Sequence, residues 1–299
     1  MTKLAKVMVL MSIALLLIVF KINVLPTTFE EFIGIESADA RSKNTPRSDR
    51  LFKPYDQAAY RLAQQIERGE SISLGEVNAL GKEALNARYG QEITLLFHAM
   101  SARNLQAIDV LLEAGASPYL IDKPSTILTR DFTYYLTLPG NHNEPTSLPF
   151  INAMLKLYLK HGGDPNHRVG GEGENPMLVD IAMMGNFEGF ELLLAAGADP
   201  WLMGNRKDNG MSQLVMSRES GDFIEQLIDK GYFDKVPLTS LQYVMFWVSA
   251  NSRKQNEIGE QSRRIGLRIL KRNPEYPADR HTELLFKDPI PWDEVRKAP

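Results

Sequence analysis

Three groups of residues have the types and spacing to do chemistry. His161, Asp164 and His167 fall in one short stretch. Two imidazoles and a carboxylate are a common zinc donor set. Gly170-Gly171-Glu172-Gly173-Glu174 is rich enough in glycine for backbone N–H groups to wrap a phosphate. His98 lies in an apolar stretch, where an imidazole could serve as a general base. Each group also has a plainer reading. Asp164 occupies a turn, and His161 ends a helix, where a cation suits the dipole. The glycine stretch has no strand before it, and its two carboxylates would repel phosphate, so it reads as a loop. His98 reads as a packed core histidine. The pairs Glu30-Glu31 and Glu172/Glu174 lack the apolar surroundings that would raise a carboxyl pKa. No G-x-S-x-G, no H-E-x-x-H and no phosphate loop ending in Gly-Lys-Ser/Thr occurs. The expectation is a protein that is not an enzyme, with no cofactor and no metal.

The elements around these residues are repeats. Leu111-Leu112-Glu113-Ala114-Gly115-Ala116-Ser117-Pro118 returns as Tyr158-Leu159-Lys160-His161-Gly162-Gly163-Asp164-Pro165 and as Leu193-Leu194-Ala195-Ala196-Gly197-Ala198-Asp199-Pro200. Each copy is an apolar helix end, a glycine that can turn left-handed just past the helix, and an Asp or Ser with Pro that redirects the chain. A unit of this kind cannot bury its own apolar face, so copies must stack. Taking Lys82 as the first glycine position, the intervals are 33 (115−82), 47 (162−115), 35 (197−162) and 34 (231−197). The long interval places an insertion near residues 138–147, within Leu138 to Ser147.

Composition sets the outer limits. The 299 residues suffice for one or two domains with a sizeable core, and 43% hydrophobic with 24% charged residues is ordinary for a globular chain. A net charge of −3 gives no general pull towards nucleic acid. The absence of cysteine excludes disulfides, thiolate metal sites, a cysteine nucleophile and a cysteine-linked lipid anchor. At the N-terminus Lys3 and Lys6 precede an apolar run from Val7 to Phe20. With Lys6 and Lys21 snorkelling, Leu4 to Leu25 could span a bilayer core of about 30 Å. A small-x-small site at Ala38-Asp39-Ala40 leaves a cleaved signal open as the alternative. The basic flank favours a cytoplasmic N-terminus and an exported body. The body would therefore be inner membrane-anchored and face the periplasm, or be free in the periplasm after cleavage. Residues 1–25 are the anchor or signal, 26–54 a linker, 55–235 the repeats and 236–299 a C-terminal helical cap and tail.

The clearest unit, Thr94-Leu95-Leu96-Phe97-His98-Ala99 through Gly115-Ala116-Ser117, resembles the ankyrin repeat. Thr94, Leu96 and Ala99 match the family's inner-helix positions. Leu105, Ile108, Leu111 and Leu112 match its outer-helix core. Leu95 departs from the usual proline and Phe97 from the usual histidine. A second copy runs from Asn175-Pro176-Met177-Leu178 to Gly197-Ala198-Asp199. The resemblance implies an all-α ankyrin-repeat solenoid of about five helix-pair repeats, the first and last degenerate, capped by helices at Leu238 to Ser249 and Glu257 to Leu270. It also implies that a protein partner lies on the inner helices and the hairpin fingers. Arg88, Tyr89, Arg168 and Arg206 are the finger residues expected to be exposed. Tyr119 and Trp201 follow the turn prolines and are either exposed anchors or stacked between repeats. The basic stretch Arg253, Lys254, Arg263, Arg264, Arg268, Lys271 and Arg272 reads as a solvated cap face, with an acidic partner or an anionic membrane as the alternative.

The N-terminal apolar segment and the opening unit Leu85-Asn86-Ala87-Arg88-Tyr89-Gly90-Gln91-Glu92-Ile93-Thr94-Leu95-Leu96 further resemble the ankyrin-repeat immunity proteins that accompany type VI secretion lipase effectors. That resemblance implies a protein that binds a cognate lipase effector and neutralises it in the periplasm. A generic periplasmic scaffold that stabilises an envelope enzyme is the alternative.

Overall fold

The first helix pair starts where side chains can close its open N–H groups. Asp56 accepts from Ala58 and Ala59 N–H at 2.7 and 2.9 Å, and Ser73 and Glu76 form a reciprocal capping box. A computed structural model describes residues 47–121, 131–138, 147–171, 173–217, 220–277 and 292–293. The apolar segment 1–25, most of the 138–147 insertion and most of the tail lie outside the described residues. Among the described residues there is no strand, only an isolated antiparallel bridge between Arg168 and Pro176. Among them, too, no helix is long and apolar enough to cross a membrane.

The chain divides into two compact units, Met1–Arg130 with Asn143–Pro145, and Asp131–His142 with Thr146–Pro299. In the first unit, α1 (Arg47–Leu51) packs on α2 (Gln57–Glu67), which pairs with α3 (Leu74–Leu85). α4 (Leu95–Ser101) then pairs with α5 (Leu105–Glu113). α2 packs on α4 and α3 on α5, so inner helices stack on inner and outer on outer. Two sequence expectations change here. Residues 47–54 were assigned to the linker, yet α1 is helical and Leu51 and Phe52 are buried. Gly81, at φ +78°, kinks α3 one position before the Lys82 that the repeat spacing assigns to its turn, and the helix runs on to Leu85.

The second unit contains α6 (Phe132–Leu136), α7 (Leu148–Lys160), α8 (Met177–Met183), α9 (Phe187–Ala195), α10 (Gly210–Met216), α11 (Gly221–Asp229), α12 (Leu238–Ser252) and α13 (Glu257–Arg272). α8, α10 and α12 form the inner row, and α7 packs on α9 and α11 on α13 in the outer row. Buried asparagines join successive pairs. Asn104 caps α5 through Ala107 N–H at 3.0 Å, and its amide donates back to the carbonyls of Ile66 and Glu70 at 3.3 and 3.2 Å. Asn186 caps α9 through Gly189 N–H at 3.0 Å and donates to Asn152 Oδ1 at 2.7 Å. Each cap therefore satisfies polar groups on two repeats at once.

One departure from the repeated turn has a packing cause. Ala116 and Ala198 follow their glycines, but Gly163 follows Gly162. A Cβ on Gly163 would stand 2.4 Å from the ring of Tyr158. Tyr158 replaces the leucine found at positions 111 and 193, and its hydroxyl donates to Asp164 O at 2.9 Å. The larger ring fills the space that the alanine methyl fills elsewhere. Gly163→Ala is expected to cost about 2 kcal/mol by overpacking. Adding Tyr158→Leu should recover at least about 1 kcal/mol of that cost. A double-mutant cycle by chemical denaturation checks it, and strictly additive losses would contradict it.

Candidate functional site

The finger residues expected to be exposed divide in the structure. Asn86-Ala87-Arg88 and Asn166-His167-Arg168 form the same Asn-x-Arg staple. Each asparagine Oδ1 accepts from a later turn, Ser117 N–H and Asp199 N–H, at 2.8 Å in both cases. Each arginine then reaches a carbonyl of the following repeat. Arg88 Nε donates to Ile121 O at 2.9 Å, and Arg168 donates to Glu174 O and Met203 O at 2.7 and 2.9 Å. Arg88 remains exposed and Arg168 is half-buried, but both guanidinium groups join repeats. Arg168→Ala is expected to destabilise the second unit by about 1.5 kcal/mol, because charge-assisted bonds to two carbonyls are lost. Thermal denaturation beside Arg206→Ala, which should leave stability unchanged, checks the contrast.

Tyr89 corrects the exposure expected of it. It is 5% exposed, its ring lies 5.0 Å from that of Phe52, and its hydroxyl donates to Ala84 O at 2.6 Å. Burial, with Asp56 nearby, pushes its phenol up to about 12. Tyr119 is exposed at 41%. Trp201 is half-buried and meets the fully buried Phe233 ring edge-to-face at 5.5 Å. Of this pair, Tyr119 is therefore the exposed ring and Trp201 the stacked one.

The candidate chemical groups are engaged in structure. Asp164 Oδ1 accepts from Asn166 N–H at 2.8 Å, closing its turn. His167 Nε2 lies 3.5 Å from Asp131 Oδ2. Burial raises the Asp131 carboxyl, but bonds from His167, Thr133 and Tyr134 N–H outweigh it and hold it below the usual carboxylate range. Among the described residues no group of three His, Cys, Asp or Glu side chains could hold a metal. Gly170 and Gly171 lie at the tip of a hairpin closed by Val169 N–H to Asn175 O at 3.1 Å and Met177 N–H to His167 O at 2.9 Å. His98 is fully buried, with its Nε2 3.0 Å from Ala63 O.

The basic cap helix α13 is paired along one face. Arg264 and Arg268 both reach Glu225, at 2.7 and 3.2 Å, and Arg268 also bonds Asp229. Arg272 meets Asp234 at 2.9 Å. Ile265 and Ile269 are buried beneath this row. Glu225 and Asp229 of α11, with Asp234 just beyond it, thus pair with Arg264, Arg268 and Arg272 of this basic stretch.

The feature the sequence reading missed is a cleft of about 630 Å³ between α10 and α12. Met216, Tyr243, Phe246 and Trp247 line it, and Arg206 and Lys207 stand at its rim. Met216, Tyr243 and Phe246 are 40%, 36% and 45% exposed although they lie on the inner helix row. Met183, at the matching end of α8, is also exposed. Burial raises the Asp180 carboxyl on α8, aided by Asp208 and Glu174 and opposed by a 2.8 Å bond from Asn175. One signal was available in the sequence: methionine recurs at the end of successive inner helices, where the first unit has Ser101.

No family model matches this chain, and no curated protein matches it. Among solved structures, the chain is similar to the crystal structure of an ankyrin repeat domain from Acinetobacter baumannii AYE, at 18% identity and a TM-score of 0.45, over 72% of this chain and 98% of that one.

Proposed function

We propose that this chain is a protein-binding module and that it binds and neutralises a phospholipase or lipase effector of a type VI secretion system in the periplasm. The observation that carries the binding reading is the apolar strip on the inner helices. Met216, Tyr243 and Phe246 line one cleft and are exposed, on a stack whose other apolar side chains are mostly buried. A contiguous apolar patch with a polar rim is the usual mark of a protein interface. The effector reading adds the sequence resemblance: the apolar segment within residues 1–25, followed by the opening unit Leu85 to Leu96. In that reading the first 25 residues hold the body at the inner membrane or are cleaved during export. No chemical step is assigned to the chain, which acts by occluding its partner. Co-expression with the product of the adjacent gene, followed by affinity capture and a lipase assay, tests the proposal. The expected result is a stoichiometric complex with suppressed lipase activity. Recovery of the chain alone, with the lipase fully active, would sink it.

A further inference from the structure

The cleft between α10 and α12 has a chemistry more specific than apolarity. Its apolar lining includes Met216, Phe246 and Trp247, a thioether beside aromatic rings, which can repack around different side chains. Arg206 and Lys207, both exposed, line it beside Asp208, whose carboxylate accepts from Gln213, so the two cations outnumber the one carboxylate. Several cations of the second unit are paired with carboxylates: Lys156 with Glu188 at 2.8 Å, Lys230 with Glu191 at 2.7 Å, Arg264 and Arg268 with Glu225, and Arg272 with Asp234. Neither Arg206 nor Lys207 has a side-chain partner among the described residues. The turn that presents them is tightly held. Gly204 N–H donates to Asp208 O at 2.6 Å and Lys207 N–H to Gly204 O at 3.2 Å. Lys207 itself sits at φ +60°, a corner that glycine or asparagine would occupy with less strain. Gln242, also on the lining and exposed, has an amide without a side-chain partner, so it can bond a peptide backbone.

We infer that this cleft takes a segment of a protein partner in which an aromatic or long aliphatic side chain is flanked by Asp or Glu. The inference rests on the protein-binding reading above but not on the identity of the partner. The apolar side chain enters between Met216 and Phe246 and is desolvated there. The flanking carboxylates meet Arg206 and Lys207, which also steer the approach. A protein segment fits better than a bilayer, because acyl chains offer no partners for the polar groups Asp208, Gln213 and Gln242 among the lining. The free amide of Gln242 matches a peptide group for the same reason.

The test uses the full chain and random dodecapeptides displayed on phage, followed by fluorescence anisotropy of the strongest peptide. The expected peptides combine an aromatic or long aliphatic residue with neighbouring Asp or Glu. Phe246→Ala should weaken the strongest by about thirty-fold, the effect of truncating a buried anchor. Arg206→Glu with Lys207→Glu should weaken it at least about ten-fold at low salt and abolish its salt dependence. Both sites are surface positions, so circular dichroism should show an intact fold. Peptides without acidic bias, or affinities unmoved by either variant, would overturn the inference. So would capture of the chain by phosphatidylglycerol vesicles through Phe246, or a dimer that Phe246→Ala dissolves. A lipase effector that binds both variants as well as wild type overturns the cleft and leaves the effector reading standing. Acid-flanked peptides together with a lipase that never binds refute the effector reading alone.

Discussion

Acidification from pH 7 to about 4.5 is expected to cost the first unit roughly 2–3 kcal/mol through His98 alone. The imidazole is fully buried on α4, beside the Phe52 ring at 5.0 Å, with Ala63 O as the partner of its Nε2. Burial above all, and then the charge of Arg47, push its pKa down from 6.5 to about 3, against the weaker pull of Ala63 O and Glu67. In the unfolded chain the ring takes up its proton near its ordinary value. Between those two pH values the unfolded state binds more protons, so stability falls as the pH drops. Above the unfolded value the contribution is fully present. Glu67 acts with the same sign lower on the scale: burial raises it, but bonds from Ser48 and from Arg47 N–H outweigh that and hold it below the usual carboxylate range. His98→Gln keeps a donor for Ala63 O and cannot titrate. Chemical denaturation across this range should show a flattened pH slope for His98→Gln, whatever its stability at neutral pH. An unchanged slope would assign the acid sensitivity to other groups.

Gly259→Ala is expected to cost about 3 kcal/mol or more, the largest loss from adding one methyl group here. A Cβ at this place would stand 1.8 Å from Lys254 O and 3.3 Å from Ser252 O. The obstacle is backbone, so no side chain can rotate away. The turn is also fixed from other directions. Gly259 N–H is capped by Asn256, and Arg263 donates to Ser252 O at 2.5 Å. Relief therefore requires α13 to move against α12, the helix that carries Tyr243 and Phe246. Partner affinity should fall together with stability in this variant, whereas Phe246→Ala should lower affinity alone. Thermal denaturation beside peptide anisotropy separates the two. An unaffected melting transition would show that the approach of α12 and α13 is looser than described.

The helix pairs were legible because their ends are written locally. Glycine, a small residue and Asp or Ser before Pro close α5, α7 and α9 close to where the sequence placed them, and Leu148 to Lys160 is α7 end to end. The staples were not legible, since an arginine that bonds a carbonyl 33 residues on looks the same in sequence as one free to bind a partner. Tyr89 was misjudged for the same reason: the wall that covers it includes Phe52, in a stretch that reads as linker. The charge zipper of α13 did leave a trace. Glu225 and Asp229 repeat the spacing of Arg264 and Arg268, each 39 residues earlier, and that match was open to inspection. The cleft left the least. Met216 and Phe246 have the composition of a core stripe, and only the stacking of α10 and α12 leaves them exposed.

Hydroxyl-radical footprinting tests the central claim most directly, because methionine and aromatic side chains are its strongest reporters. The chain would be labelled alone and in complex with the protein partner that affinity capture recovers with it. Met216 and Phe246 should lose most of their reactivity in the complex, while Tyr55 and Leu238, exposed elsewhere at 62% and 43%, keep theirs. Unchanged labelling of Met216 and Phe246 in a verified complex would contradict the account, and place the partner on another surface.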